Sequence, residues 1–277
     1  MTPVQLRTAV PLSAKAVAKA VVLASIVIAA LAWGMLLPAI VQSQDYHRFA
    51  DARVLLGVVN AADTLSNLAF LAVGVLGFVF LWRERDAGRL GRFRSPREML
   101  PYRVFFAGVV LTSAGSAYYH LLPDDARLVW DRLPMTVAFM SLVAAVTGER
   151  ISPRAGNLLL VPLVILGLAS VAYWRWSALA GFENLRPYLA VQFGSIAVVL
   201  AIAALYPSRY THGGAIYAVA VAYAIAKVLE VFDVEVFALG QWASGHTLKH
   251  LAAAAGIYLL LRSLRQRTRL ALVSSSS

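Results

Sequence analysis

Long apolar runs separated by short charged loops organise this chain. Eight runs are traced, at Lys15–Leu37, Asn60–Trp82, Val104–Leu122, Leu128–Thr147, Ala155–Trp174, Pro187–Tyr206, Gly213–Val234 and His246–Arg262. Each has about the 20-residue length with which an α-helix crosses a hydrocarbon layer roughly 30 Å thick. The pattern predicts an all-α fold, a polytopic transmembrane helix bundle.

The loops assign an orientation. Arg83, Arg85, Arg89, Arg92, Arg94, Arg97 and Arg103 crowd into one connection, which marks it as cytoplasmic. Alternation then puts Arg7, Lys15 and Lys19, Arg150 and Arg154, Arg209, and the tail arginines Arg262, Arg265, Arg267 and Arg269 on the same side. The loops carrying Asp45 and Asp51, Asp124 and Asp125, Glu183 and Glu235 fall outside. Both termini are therefore expected in the cytoplasm. Alanine- and arginine-rich composition with compact loops points to a bacterial inner membrane, with the outer face toward the periplasm.

Composition sharpens this reading. The chain is 60% hydrophobic and 14% charged, against about 25% charged for a soluble domain. A formal charge of +11 would first suggest nucleic acid, but the cations lie in loops rather than along one folded face, so no nucleic-acid partner is expected. The absence of cysteine excludes disulfides and thiolate metal sites. The first run, with its basic lead, also reads as a signal peptide cut near Gln42–Gln44, although its apolar stretch exceeds the usual 7–15 residues. Residues 1–45 are thus expected to form an N-terminal helix and outer loop, 46–265 a seven-span core and 266–277 a cytoplasmic tail, with Ser274–Ser277 unstructured.

Polar side chains within apolar runs need a reason to be there. His120 lies at the outer end of the third run, Asp131 near the start of the fourth, and His246 and His250 open the eighth. The topology brings all four to the outer end. His246 and His250 stand at i and i+4, on one helix face and able to grip one ion; Ser116 and His120 share that spacing. Three imidazoles with a carboxylate nearby suffice for a catalytic zinc. Asn60, Asp63, Ser66, Asn67, Lys227, Glu230 and Asp233 sit at the same level.

Plainer readings stand beside these. Asp131 serves equally well as a helix-terminal carboxylate, and Ser116 fits a small-residue packing stretch, Ser113-Ala114-Gly115-Ser116. Lys227 and Glu230 read as an ion pair within one helix, and Ser66 and Asn67 as interhelical hydrogen-bonders. His47 and His212 read as solvated loop residues. Trp174, Trp176 and Tyr188 read as interfacial anchors.

Taken together, the motifs resemble a known family. Ser116-Ala-Tyr-Tyr-His120 followed by Trp130-Asp131-Arg132-Leu133-Pro134-Met135, the segment Asn60-Ala-Ala-Asp63-Thr64-Leu65-Ser66-Asn67, and Gly245-His246-Thr-Leu-Lys-His250 are similar, in order and spacing, to motifs of the alkaline ceramidase family. That family sits within a superfamily of seven-span hydrolases that includes the adiponectin-type receptors. The resemblance covers roughly Asp51 to Leu261. It implies a seven-helix core, here spans two to eight, preceded by one additional helix. It also implies a zinc ion held by His120, His246 and His250, with Asp131 as acid/base and Ser116 beside the reacting carbonyl. Where the animal enzymes bind calcium through an acidic stretch, this chain has Tyr46-His-Arg-Phe-Ala-Asp51-Ala-Arg53 and then Asn60. Asp51 and Asn60 fall short of the six to eight oxygens calcium takes, so calcium is not expected.

The expected activity is a zinc-dependent lipid amidase that hydrolyses ceramide or a related N-acyl lipid drawn sideways from the bilayer, releasing a fatty acid and an amine. Glu230 or Asp233 is a candidate to orient a ligand histidine. The alternatives are a hydrolase of another lipid ester or amide, a receptor with structural zinc, and a transporter using Lys227, Glu230 and Asp233.

Overall fold

A computed structural model describes residues 13–86 and 90–270. The cations Arg7 and Arg89 and the expected unstructured tail Ser274–Ser277 lie outside the described residues. Among those described, the chain is helical and has isolated bridges rather than strands. In order the helices are α1 (Ala14–Leu36), α2 (Ala61–Ser66), α3 (Leu68–Asp86), α4 (Pro96–Leu121), α5 (Asp125–Arg150), α6 (Pro153–Leu179), α7 (Arg186–Leu205), α8 (Ala215–Val231), α9 (Asp233–Ala238) and α10 (Gly245–Gln266). Short 3-10 turns occur at Gln44–His47 and Leu90–Arg92.

Six helical segments are long and apolar enough to cross a membrane: α1, the joined α2 and α3, and α4 to α7. The seventh and eighth predicted runs form as α8 and α10. At 17 residues, α8 is shorter than a 20-residue crossing, and α10 carries His246, Lys249 and His250 at one end and Arg262 and Arg265 at the other. The joint between α2 and α3 falls at Asn67, whose side-chain amide donates to the Asp63 carbonyl at 2.9 Å and competes with the helical ladder.

Boundaries differ from the sequence pattern where polar residues open a helix. α4 begins at Pro96, eight residues before the predicted Val104, because Pro96 fits the first helical turn. α5 begins at Asp125, and Asp124 caps it by accepting from the Arg127 amide at 2.7 Å. Asp131 therefore lies in the second turn and does not cap the helix.

Phe105, Phe106, Leu142, Val199, Ile202 and Leu261 are buried at the centre of the bundle. Its girth exposes Leu158, Val161, Ile165, Val221 and Val228, a surface suited to lipid, which no aqueous domain would tolerate as a continuous belt. α1 packs on α7 through small residues: a Cβ on Gly34 would lie 2.9 Å from the Ala190 Cβ, and one on Gly194 3.1 Å from the Ala30 Cβ.

The arginine-rich loops gather at one end and are bound there. Arg150 donates to the carbonyls of Ala203 (3.1 Å), Tyr206 (2.8 Å) and Gly213 (2.6 Å), serving groups left open at the end of α7. Arg267 pairs with Glu149 at 2.5 Å and stacks on Phe93 and Tyr210. The segment assigned to a tail from residue 266 is thus packed as far as Leu270, whose amide donates to the Arg209 carbonyl at 3.0 Å.

Candidate metal centre

The opposite end holds the histidines. His120 comes from the last turn of α4, His246 and His250 from the first turns of α10. All three are buried, and one nitrogen from each lies within 4.8 Å of the others, a grouping able to hold a metal ion. The Nε2 atoms of His120 and His246 are 3.3 Å apart.

Neighbouring elements hold these rings in place. Ser244 caps α10, its hydroxyl accepting from the Thr247 amide at 3.0 Å. Asp63 on α2 accepts from the hydroxyls of Ser244 (3.1 Å) and Thr247 (2.5 Å), tying the start of α10 to α2. The Ser66 hydroxyl donates to the Asp63 carbonyl at 2.8 Å, leaving its oxygen to accept from His250 Nδ1 at 2.8 Å. That bond protonates Nδ1 and leaves Nε2 as the ligating nitrogen. Asn60, in the left-handed region at φ 47°, donates to the His120 carbonyl at 2.8 Å; asparagine adopts that conformation more readily than most residues. Phe49 lies against the rings of His120 (4.7 Å) and His246 (4.5 Å).

The carboxylate expected to orient a ligand histidine does something else. Asp233 accepts the His246 main-chain amide at 2.7 Å, and Glu230 binds Lys227, Lys249 (2.8 Å) and the Tyr46 hydroxyl (2.9 Å). Ser66 instead hydrogen-bonds a ligand ring. Desolvation, and then the charge of Glu230, push the Tyr46 hydroxyl well above the usual phenol range, so it stays a donor.

Ser116 and Asp131 are brought close enough to interact, on the wall of one cavity. Gly115 permits it: a Cβ there would lie 2.0 Å from the Trp130 carbonyl oxygen. Pro134, inside α5, has no N–H to offer that carbonyl, so α4 approaches α5 at an unpaired acceptor. Gly245 plays the same part for α10, with a Cβ meeting the Leu229 carbonyl at 2.1 Å.

Ser116, Asp131 and His250 face a cavity of about 210 Å³, also lined by Gln42, Tyr46, Arg132, Tyr188, Lys227, Glu230 and Lys249. A second, apolar cavity of about 120 Å³ lies deeper, among Phe105, Val109, Phe139, Leu142 and Ile257. Both are lined by Phe70, Thr112, Met135, Tyr223 and Ala253, so the cavity carrying the charged side chains adjoins the apolar one.

Three residues behave differently from their sequence reading. His47 is not solvated: its ring nitrogens bond the Tyr119 hydroxyl at 2.9 Å and Asp125 at 3.0 Å. Trp174 and Tyr188 are buried rather than interfacial, whereas Trp176 is exposed. Of the residues weighed for a calcium site, Asp51 pairs with Arg53 at 2.6 Å, and Asn60 donates its amide nitrogen to the His120 carbonyl. No family model and no curated protein matches the chain.

Proposed function

We propose that this chain is an intramembrane zinc-dependent amidase that hydrolyses ceramide or a related N-acyl lipid to a fatty acid and an amine. The observation that carries the reading is the meeting of three buried imidazoles, from helices α4 and α10, with Ser116 and Asp131 on the cavity that His250 lines. The donor set fits zinc. Each of the three buried imidazoles brings a nitrogen within 4.8 Å of the others, and neutral histidine is a usual zinc ligand. Three protein ligands would leave a position open, as catalytic sites do. The motif resemblance to alkaline ceramidases supports the same assignment.

His120, His246 and His250 would hold the ion. Bound there, zinc would supply a Lewis acid for the scissile carbonyl and lower the pKa of a water toward about 7. Asp131 would take a proton from the attacking water and return it to the amine nitrogen as the C–N bond breaks. Ser116, beside Asp131 on the cavity wall, would turn its hydroxyl to the carbonyl oxygen as negative charge develops there. The apolar chamber suits the acyl chain and the polar chamber the amine half. We place the protein in a bacterial inner membrane with this site toward the periplasm, since the arginine loops gather at the far end.

Zinc content of the purified protein and turnover of a fluorescent long-chain N-acyl lipid test the reading together. His246→Ala and His250→Ala should each lower bound zinc and abolish hydrolysis. Retention of zinc by both variants would refute the ligand set.

A further inference from the structure

Arg132 follows Asp131 directly and is buried, with 4% of its surface exposed. Its guanidinium lies over the rings of Trp174 (4.3 Å), Tyr188 (4.7 Å) and Tyr46 (5.7 Å). Nη2 donates to the Gln42 side-chain carbonyl at 2.5 Å. The Tyr188 hydroxyl is near enough to interact with the group, yet Nη1 is buried with no hydrogen-bond partner. Among the described residues, no carboxylate forms an ion pair with Arg132.

A buried cation with no carboxylate in contact is costly, and aromatic faces with the nearby Asp131 repay only part of that cost. The other cations on the same cavity are compensated: Lys227 and Lys249 both pair with Glu230. The chamber is thus built around one arginine with a free donor, beside Asp131 and above the apolar cavity. Arginine is the side chain best suited to receive a carboxylate, sulfonate or phosphate.

We propose that Arg132 receives an anionic group on the amine half of the substrate, so that the enzyme prefers N-acyl lipids with an acidic head over neutral ones. The inference rests on the amidase reading and deepens it. A chain seated in the apolar cavity runs inward from Met135 toward Ile257. The amide then lies at Asp131 and Ser116, and whatever is attached to the nitrogen is directed to the chamber holding Arg132, Gln42 and Tyr188. Glu230 cannot serve as the counter-ion, because two lysines and Tyr46 already hold it.

N-palmitoylglycine and N-palmitoylglycinamide differ in charge and hardly in shape. The zinc-loaded full chain should hydrolyse the first with a kcat/KM about 10- to 100-fold higher, the range expected when a charge-assisted hydrogen bond to a buried cation is gained. Arg132→Gln should erase that preference by slowing the acid more than the amide, so that the ratio of their kcat/KM values falls toward one. Equal hydrolysis of the two by the wild type, or equal slowing of both in the variant, overturns the inference while leaving the amidase reading intact. If neither lipid nor ceramide is turned over, the amidase reading fails and binding decides instead. N-palmitoylglycine should then raise the melting temperature of the wild type more than the amide does, and an equal rise for the two lipids overturns the inference. Should Arg132→Gln not fold, the wild-type preference and the two melting shifts still decide for or against the inference.

Discussion

Gly115→Ala isolates the contact that brings Ser116 to Asp131. The added Cβ would sit 2.0 Å from the Trp130 carbonyl oxygen, and an ordinary contact needs about 3.4 Å, so α4 and α5 must part by roughly 1.4 Å. No side-chain rotation relieves the clash, because the opposing atom is backbone. Overpacking of this kind costs about 1–3 kcal/mol, which corresponds to roughly 2–4 °C of melting temperature per kcal/mol in a chain of this size. Displacing a reacting group by about 1 Å costs on the order of 100-fold in rate. His120 shares α4 with Gly115, and His246 and His250 lie on α10, so zinc content falls if α4 is the helix that moves and persists if α5 is. The assay combines a thermal melt in detergent, zinc per protein and turnover of an N-acyl lipid. A variant with unchanged melting temperature and full turnover would refute the argument that close approach at Gly115 organises the site.

Ser66→Ala removes the acceptor that holds the His250 ring; zinc affinity should fall about 10- to 100-fold, as read by competition with a chelator, with hydrolysis recovering at saturating zinc. Asp51 accepts from Arg53 through two short bonds, and that hydrogen bonding holds its carboxyl below the usual aspartate range. A lowered pKa in the folded state stabilises above the unfolded value, about 3.9, and the gain is lost as pH falls through the lowered one. The melting temperature of the wild type should therefore exceed that of Asp51→Asn by a constant margin above about pH 4, and the two should converge below it; a margin that widens on acidification would contradict the pairing.

Much of this protein was legible in its sequence. Apolar runs of crossing length, each bounded by charge, dictate helices because a helix satisfies its own backbone without water. The i, i+4 spacing of His246 and His250 places both on one face whatever surrounds them. Hydrophobic periodicity could not show which atom each polar side chain meets. Ser66, rather than Glu230 or Asp233, holds a ligand ring because the α2–α3 joint at Asn67 carries it to α10. His47 reads as a solvated loop residue and Trp174 and Tyr188 as interfacial anchors; Trp174 and Tyr188 are buried against Ile40, Tyr46 and Phe49 of the segment after α1, and His47 is half-buried there. Arg132 lies beside a motif residue and gave no sign of its surroundings; its aromatic walls come from Tyr46, Trp174 and Tyr188, three separate parts of the chain. Local pattern determined the helices, their ends to within a few residues apart from the early start of α4, and the three histidines, because those depend on neighbours within a turn or two. Tertiary structure decided which donors and acceptors pair, because that follows from how closely two helices approach, and here two glycines set that distance.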